Sequence, residues 1–571
     1  MLVSRIAFPR FTPLAILLLI LLSARSGAVV PQTATETVAE NTAYSDLVAI
    51  FEDFIALRDG TSDQSSVLDR DGQGRAIAPV ANHGVNAVEQ RYQRTQALQE
   101  RLEVLATDEW PREQRVDYLA VRSRLDQYQF LLRVSRPWAR DPGLYVDRMW
   151  AVTFTELPVA GEAREEFLAQ LRAIPVLVEQ AKQVLDDVAA DYADLALHNL
   201  SRPDGVGHGH PYRATPPQGV IGWFEDLLAR AEQVQPELAS EILATMGSVT
   251  GFETWITRKR PTWHASAGVG EEALDWYLRH VKLMPWSSSE LVVLGERELD
   301  RLWSDYALER HRNRDLPELL PAETGEDYQQ RIETTDRRIR TFLANTDFIT
   351  VPDDIGELGT NVPWIERPGG RNFWEEVQYR DPSPDHLHAV IPGHRFDMVM
   401  AARVEHPIRS KLQSGARVEG WATYLEEAAM GAGLFADLPR VRELIQVFGI
   451  FRAARVPADV WLQTNRMTVA EAVAYWLERV PYLDPDVARV DAEIYLRRPP
   501  GYGIGYTVGA LQMQRLLAER KRQLGDAFNL REFHDAIMMA GQIPLSLLRW
   551  EMTGQDDEVQ RLWEREPMPV K

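Results

Sequence analysis

YSDLVAIFEDFIAL, residues 44–57, places Leu47, Ile50, Phe51, Phe54 and Ile55 on one side of a helix, because side chains three and four residues apart share a face. The same period returns in 85–107, 112–133, 162–187, 220–245, 271–282, 288–309 and 324–345, several of them opened by Asp or Ser. It resumes over 396–480, 485–498 and 503–552. Alternating apolar and polar runs are scarce, so the sequence predicts a large all-α protein. We expect two helical lobes, 44–255 and 256–571, with the functional cleft between them. Stretches rich in Gly, Pro and His interrupt the pattern at 201–219 and 349–384, and the second leads directly into the densest chemistry.

The composition is that of a globular chain: 571 residues, 45% hydrophobic and 26% charged, which excludes disordered, collagen-like and coiled-coil classes. The formal net charge of −21 repels phosphate backbones and points away from nucleic acid as a partner. Cysteine is absent, which removes disulfides, zinc–thiolate sites, cysteine nucleophiles and acylation at a cysteine. Arg5 and Arg10 precede the apolar run Leu14–Leu22, and small residues follow at Ser26-Gly27-Ala28. These are the parts of a secretory signal, read as 1–28 and followed by a polar linker, 29–43. An uncleaved N-terminal anchor is the competing reading. Export of a thiol-free chain suits a bacterial periplasm or secretion, with no stable membrane span left after signal removal.

The chemistry concentrates in Asp385-His386-Leu387-His388-Ala389-Val390-Ile391-Pro392-Gly393-His394 and, twenty-five residues later, Glu419-Gly420-Trp421-Ala422-Thr423-Tyr424-Leu425-Glu426. Two imidazoles and a carboxylate are a ligand set for catalytic zinc, and His388, His394 and Glu419 supply it. On an ideal helix His388 and His394 stand about 120° apart, so Pro392-Gly393 must bend the chain to bring both rings to one point. Glu419 and Glu426 are within about 20° of one face, so both carboxylates can look at the same site. A second register, His386 and His388 with Asp385, is also open. Taken singly, His388 reads as a core histidine and Glu419 as a surface charge. His208 and His210 read as a solvated turn, with a metal pair as the alternative.

HAVIPGH (388–394) followed by EGWATYLEE (419–427) resembles the paired signature of the bacterial domain-of-unknown-function 885 family, usually H-E-x-x-P-G-H and then E-G-W-A-x-Y-x-E. That family is similar to helical zinc metallopeptidases with an H-E-x-x-H helix and a downstream Glu ligand. The stretch 493–509 resembles its arginine-containing P-G-Q-A-x-x-Y-x-x-G segment, and Phe533-His534-Asp535 through Gly541, Pro544 and Leu545 its closing F-H-D…G-x-x-P-L. Three positions depart from the pattern. Ala389 stands where the family has its general-base Glu, Gln463 falls on a family His, and Tyr502 replaces the Gln of P-G-Q. The resemblance thus implies metal capture by His388, His394 and Glu419 more firmly than proton transfer.

Glu426 is the first candidate for a substitute base, with second-sphere support of a histidine as its other role. Glu427 and Asp385 follow. Tyr506 is a candidate donor to a developing oxyanion, or a buried core tyrosine. Arg497 and Arg498 are candidates for holding a substrate carboxylate, or solvated charges. His534 has no nucleophile to serve, and the G-x-S-x-G elbow, phosphate loop and dinucleotide fingerprint are missing. Scattered tryptophans such as Trp276 and Trp303 read as core. The resulting expectation is an exported zinc-dependent hydrolase of peptide or amide bonds, with manganese or iron as other ions that suit the ligands. A catalytically inactive relative that binds a peptide or a cell-envelope partner is the alternative, and a metal-free structural protein the third reading. Intact-mass measurement on periplasmic protein should show loss of about the first 28 residues; recovery of full-length chain in the cytoplasmic fraction alone would contradict export.

Overall fold

The computed structural model describes residues 42–60, 67–203, 206, 211–359 and 362–570. The signal segment, most of the linker, His208 and His210 lie outside the described residues. The chain is 67% helical with 2% strand, an all-α architecture. The first helix, Thr42–Arg58, takes in the last two residues of the expected linker. Its neighbours Val85–Glu103, Arg112–Phe130 and Gly161–Val184 fall where the apolar period places them.

Two features depart from the periodic reading. The window 220–245 resolves into two helices, Gly219–Val234 and Ala239–Lys259. Pro236 separates them, since it lacks an N–H and forces Gln235 out of helical geometry, at φ −154°. A short antiparallel hairpin, Val67–Arg70 with Ala76–Ala81, packs on helix Gly161–Val184. Its turn is closed by Asp71, whose Oδ1 accepts from the backbone of Gln73 and Arg75 at 2.9 and 2.8 Å. Four- and six-residue strands are too short to announce themselves by alternation.

One apolar cluster runs from Leu47, Phe51 and Leu119 in the first third of the chain to Trp421, Leu548 and Leu562 near its end. Helix Ala239–Lys259 passes straight through position 255, and the expected lobes share this core. Trp276 is buried, whereas Trp303 is 37% exposed, its indole N–H donating to the Arg479 carbonyl at 3.1 Å. Helix Pro439–Gln463 is buried on nearly every side and forms the axis of the C-terminal half. Gly295 of helix Ser288–Arg312 meets it at Val456, where a methyl group would stand 2.7 Å from the valine Cβ.

A close crossing lies beneath the candidate site, between helices Gly415–Gly431 and Ile504–Leu524. A methyl group on Gly420 would stand 2.6 Å from the Gly509 backbone, and one on Gly509 would overlap the Ala416 carbonyl. Only hydrogen atoms fit between the two backbones. Gly509→Ala should therefore force the helices apart and cost about 1–3 kcal/mol in urea unfolding. Unchanged stability would show that the crossing has slack.

Candidate metal centre

Helix Ser383–Ala389 carries His388 and stops one residue later; a second helix, His394–Ala402, begins on the second histidine. The link Val390–Gly393 turns so tightly that any side chain at Gly393 would overlap the His388 carbonyl. The Trp421 indole N–H donates to the Pro392 carbonyl at 3.0 Å and pins the link to the Glu419 helix. Pro392-Gly393 thus does what the helical geometry required: the two rings face each other edge-on, with centroids 4.6 Å apart.

His388, His394 and Glu419 each offer one ligand atom, all within 4.8 Å of one another. Glu419 Oε2 lies 3.1 Å from His394 Nε2 and 3.8 Å from His388 Nε2. Ligands about 2.05 Å from a tetrahedral zinc are about 3.4 Å apart, so the observed pair brackets the required spacing. His388 Nε2 and Glu419 Oε2 are buried with no hydrogen-bond partner, which a cation between them would supply. The donor set fits zinc. His394, with 18% of its side chain exposed, forms the accessible edge.

Electrostatics prepare His388 and Glu419 as ligands, whereas at His394 burial is outweighed by the Glu419 charge, which raises the imidazole above its ordinary value. Burial, reinforced by the nearby Arg452 charge, holds the His388 imidazole well below its ordinary value and therefore neutral, the metal-binding form. Burial works against ionisation of Glu419, but His394 and hydrogen bonds from Tyr502 and Tyr506 outweigh it and bring the carboxyl down to about 2. Tyr502 donates to Glu419 Oε1 at 2.8 Å, leaving Oε2 for the centre. Burial and the Glu419 charge push both phenols up, so they remain donors.

Glu426 is placed differently from Glu419. Its Oε1 lies 2.9 Å from His388 Nδ1, the ring nitrogen turned away from the triad, and its Oε2 is ion-paired with Arg452. Arg452 Nη2 is itself 3.1 Å from His388 Nδ1. Burial pushes the Glu426 carboxyl up, with Arg452 pulling the other way. Tyr506 is fully buried, its ring 4.6 Å beneath the Arg455 guanidinium.

The remaining candidates are engaged elsewhere. His386 points at Asp336, 2.9 Å from its Oδ1, so the His386–His388 register does not form; on a helix, neighbours two apart diverge. Glu427 is bound by Arg301 and Gln514 at 2.8 and 3.2 Å. Arg497 is consumed by Asp141, Asp147 and Glu493. His534 is a satisfied core histidine between Tyr424 and the Phe348 carbonyl. Gln463 donates to the Tyr495 carbonyl at 2.8 Å. Asp385 is buried beside His386 on the same helix.

Residues 386–552 match the model of a family described as a bacterial protein of unknown function, DUF885. The matched segment contains the whole triad. Two solved structures share the fold: a candidate lipoprotein of unknown function from Shewanella oneidensis, 15% identical, covering 89% of this chain and 99% of that one with a TM-score of 0.67; and a candidate lipoprotein from Colwellia psychrerythraea, 16% identical, covering 89% and 98% with a TM-score of 0.61. No curated protein matches the sequence. Among the described residues no helix is long and apolar enough to cross a membrane.

Elemental analysis should find about one divalent ion per chain, lost on substitution of His388, His394 or Glu419 by Ala. Glu426→Gln and Tyr502→Phe should keep the site but weaken zinc binding about 10–100-fold, the usual effect of removing a group that orients a ligand. Wild-type metal content in all three Ala variants would place the ion elsewhere.

Proposed function

We propose that the protein is an exported, zinc-dependent hydrolase of peptide or amide bonds, acting at His388, His394 and Glu419. The observation that carries this reading is the convergence of two imidazoles and a carboxylate whose inward atoms, His388 Nε2 and Glu419 Oε2, are buried and unsatisfied. Held by these three ligands, zinc would supply Lewis-acid activation of a substrate carbonyl group. His388 and Glu419 enter neutral and ionised, as a ligand set requires. Candidate lipoproteins of the same fold support an envelope setting.

The position of Glu426 favours the orienting role over the base named from sequence. Its Oε1 stands 2.9 Å from His388 Nδ1, behind the ring whose Nε2 faces the triad, and Arg452, ion-paired with Oε2 and 3.1 Å from the same Nδ1, holds it there. Ala389, buried at the end of the His388 helix, offers no proton acceptor at the position where the resembled family has its Glu. Tyr502 and Tyr506 orient Glu419. The chain therefore holds a ligand set in place but lacks a proton acceptor at position 389, so turnover is slow. The same methyl group favours a second reading, a non-catalytic relative that uses the site to bind a peptide or an envelope partner.

Ala389→Glu separates the two. Restoring a general base should raise hydrolysis of a broad peptide library about 10²–10⁴-fold over wild type at equal zinc content. If neither protein cleaves any peptide with zinc bound, the binding reading replaces the hydrolase.

A further inference from the structure

A cavity of about 560 Å³ lies between the N-terminal helices and the segment Leu496–Pro500. Its size is that of a small-ligand site. Seven arginines line it against one carboxylate, Asp141, in a chain whose net charge is −21. Asp141 is already spent: it accepts from Arg497 Nε at 2.7 Å and from the Gly143 N–H at 2.8 Å.

The cationic excess resides in Arg124 and Arg91. Among the described residues Arg124 has no hydrogen bond and no ion pair, and Arg91 donates from Nη2 only to the Asn82 carbonyl, at 2.7 Å. Burial lowers the pKa of both guanidiniums, as it does when nothing of opposite charge compensates them. Both side chains are half-buried and have no carboxylate partner among the described residues, which leaves their charge available to an anion in the cavity. Arg124 and Tyr128 are four residues apart on helix Arg112–Phe130 and look into the cavity together. Tyr277, bonded to Gln127 at 3.0 Å, stands across from them, and Trp138 and Tyr192 add apolar wall. On the far side Arg498 lies 4.5 Å over the Tyr502 ring, whose hydroxyl holds Glu419. Tyr502 thus touches both Arg498 of the cavity wall and Glu419 of the triad.

We propose that the cavity binds a small amphiphilic anion, its carboxylate or phosphate taken by Arg124 and Arg91 and its apolar body by the aromatic walls. A planar guanidinium takes either oxyanion in a two-point grip. Binding of the anion does not depend on the hydrolase reading; its assignment as the substrate's charged end does.

Isothermal titration of the full-length mature chain with N-acetyl-Phe-Phe, its C-terminal amide and phenyl phosphate tests the proposal. At least one of the two anions should bind ten times or more tightly than the amide, and the stronger of them identifies the oxyanion. Arg124→Met should weaken that binding about tenfold to a hundredfold, and Arg124→Lys should restore part of it. Arg91→Met, on a different helix, repeats the test if the Arg124 variant does not fold. Raised salt should weaken the anion and leave the amide unchanged. Equal affinity for anions and amide, no binding by any of the three, or undiminished binding by a folded Arg124→Met or Arg91→Met chain overturns the proposal. Anion binding without hydrolysis would count against the triad's chemistry alone.

Discussion

Two side chains six residues apart on a regular helix point about 120° away from each other, and this conflict shapes the whole site. The chain ends one helix at Ala389 and starts the next on His394. The turn between them is passable only for glycine at 393, and Trp421 clamps it from the neighbouring helix. Everything around the triad serves to hold this broken helix against the Glu419 helix. The Gly420–Gly509 crossing is part of the same arrangement, because it brings Tyr502 and Tyr506 down onto Glu419.

Three arginines, Arg417, Arg452 and Arg455, are almost wholly buried around the centre. Buried ion pairs are weak sources of net stability, yet removing one partner of such a pair costs about 3–5 kcal/mol. Their value here is positional. Arg417 pairs with Asp397 at 3.0 Å and ties the Glu419 helix to the His394 helix. Arg452 fixes Glu426 behind His388, and Arg455, paired with Asp491 at 2.8 Å, covers the Tyr506 ring. Each pair joins separate helices, so each ligand sits on a framework that tolerates little displacement.

Most helices were legible because burial imposes its period on Leu47–Ile55 and on the windows that follow. The triad was legible because its three residues lie within thirty-two positions and include a helix breaker. The role of Glu426 was ambiguous in sequence: the 20° alignment with Glu419 is real, but two carboxylates on one face can address opposite edges of one imidazole. Tyr502 carried a signal, as a departure from the P-G-Q pattern, without showing that its hydroxyl reaches Glu419. Arg452 carried none, since an arginine in FRAAR reads as a surface charge until the partner helix is seen. The arginine-lined cavity collects residues from Arg58 to Arg498, and no local pattern announces such an assembly.

X-ray absorption at the zinc edge, on full-length mature protein loaded with one equivalent of zinc, addresses the centre itself. The account predicts a first shell of nitrogen and oxygen at about 2.0–2.1 Å, with outer-shell scattering from two imidazoles that falls to one in His394→Ala. A shell without imidazole scattering, or one that His394→Ala leaves unchanged, would contradict it.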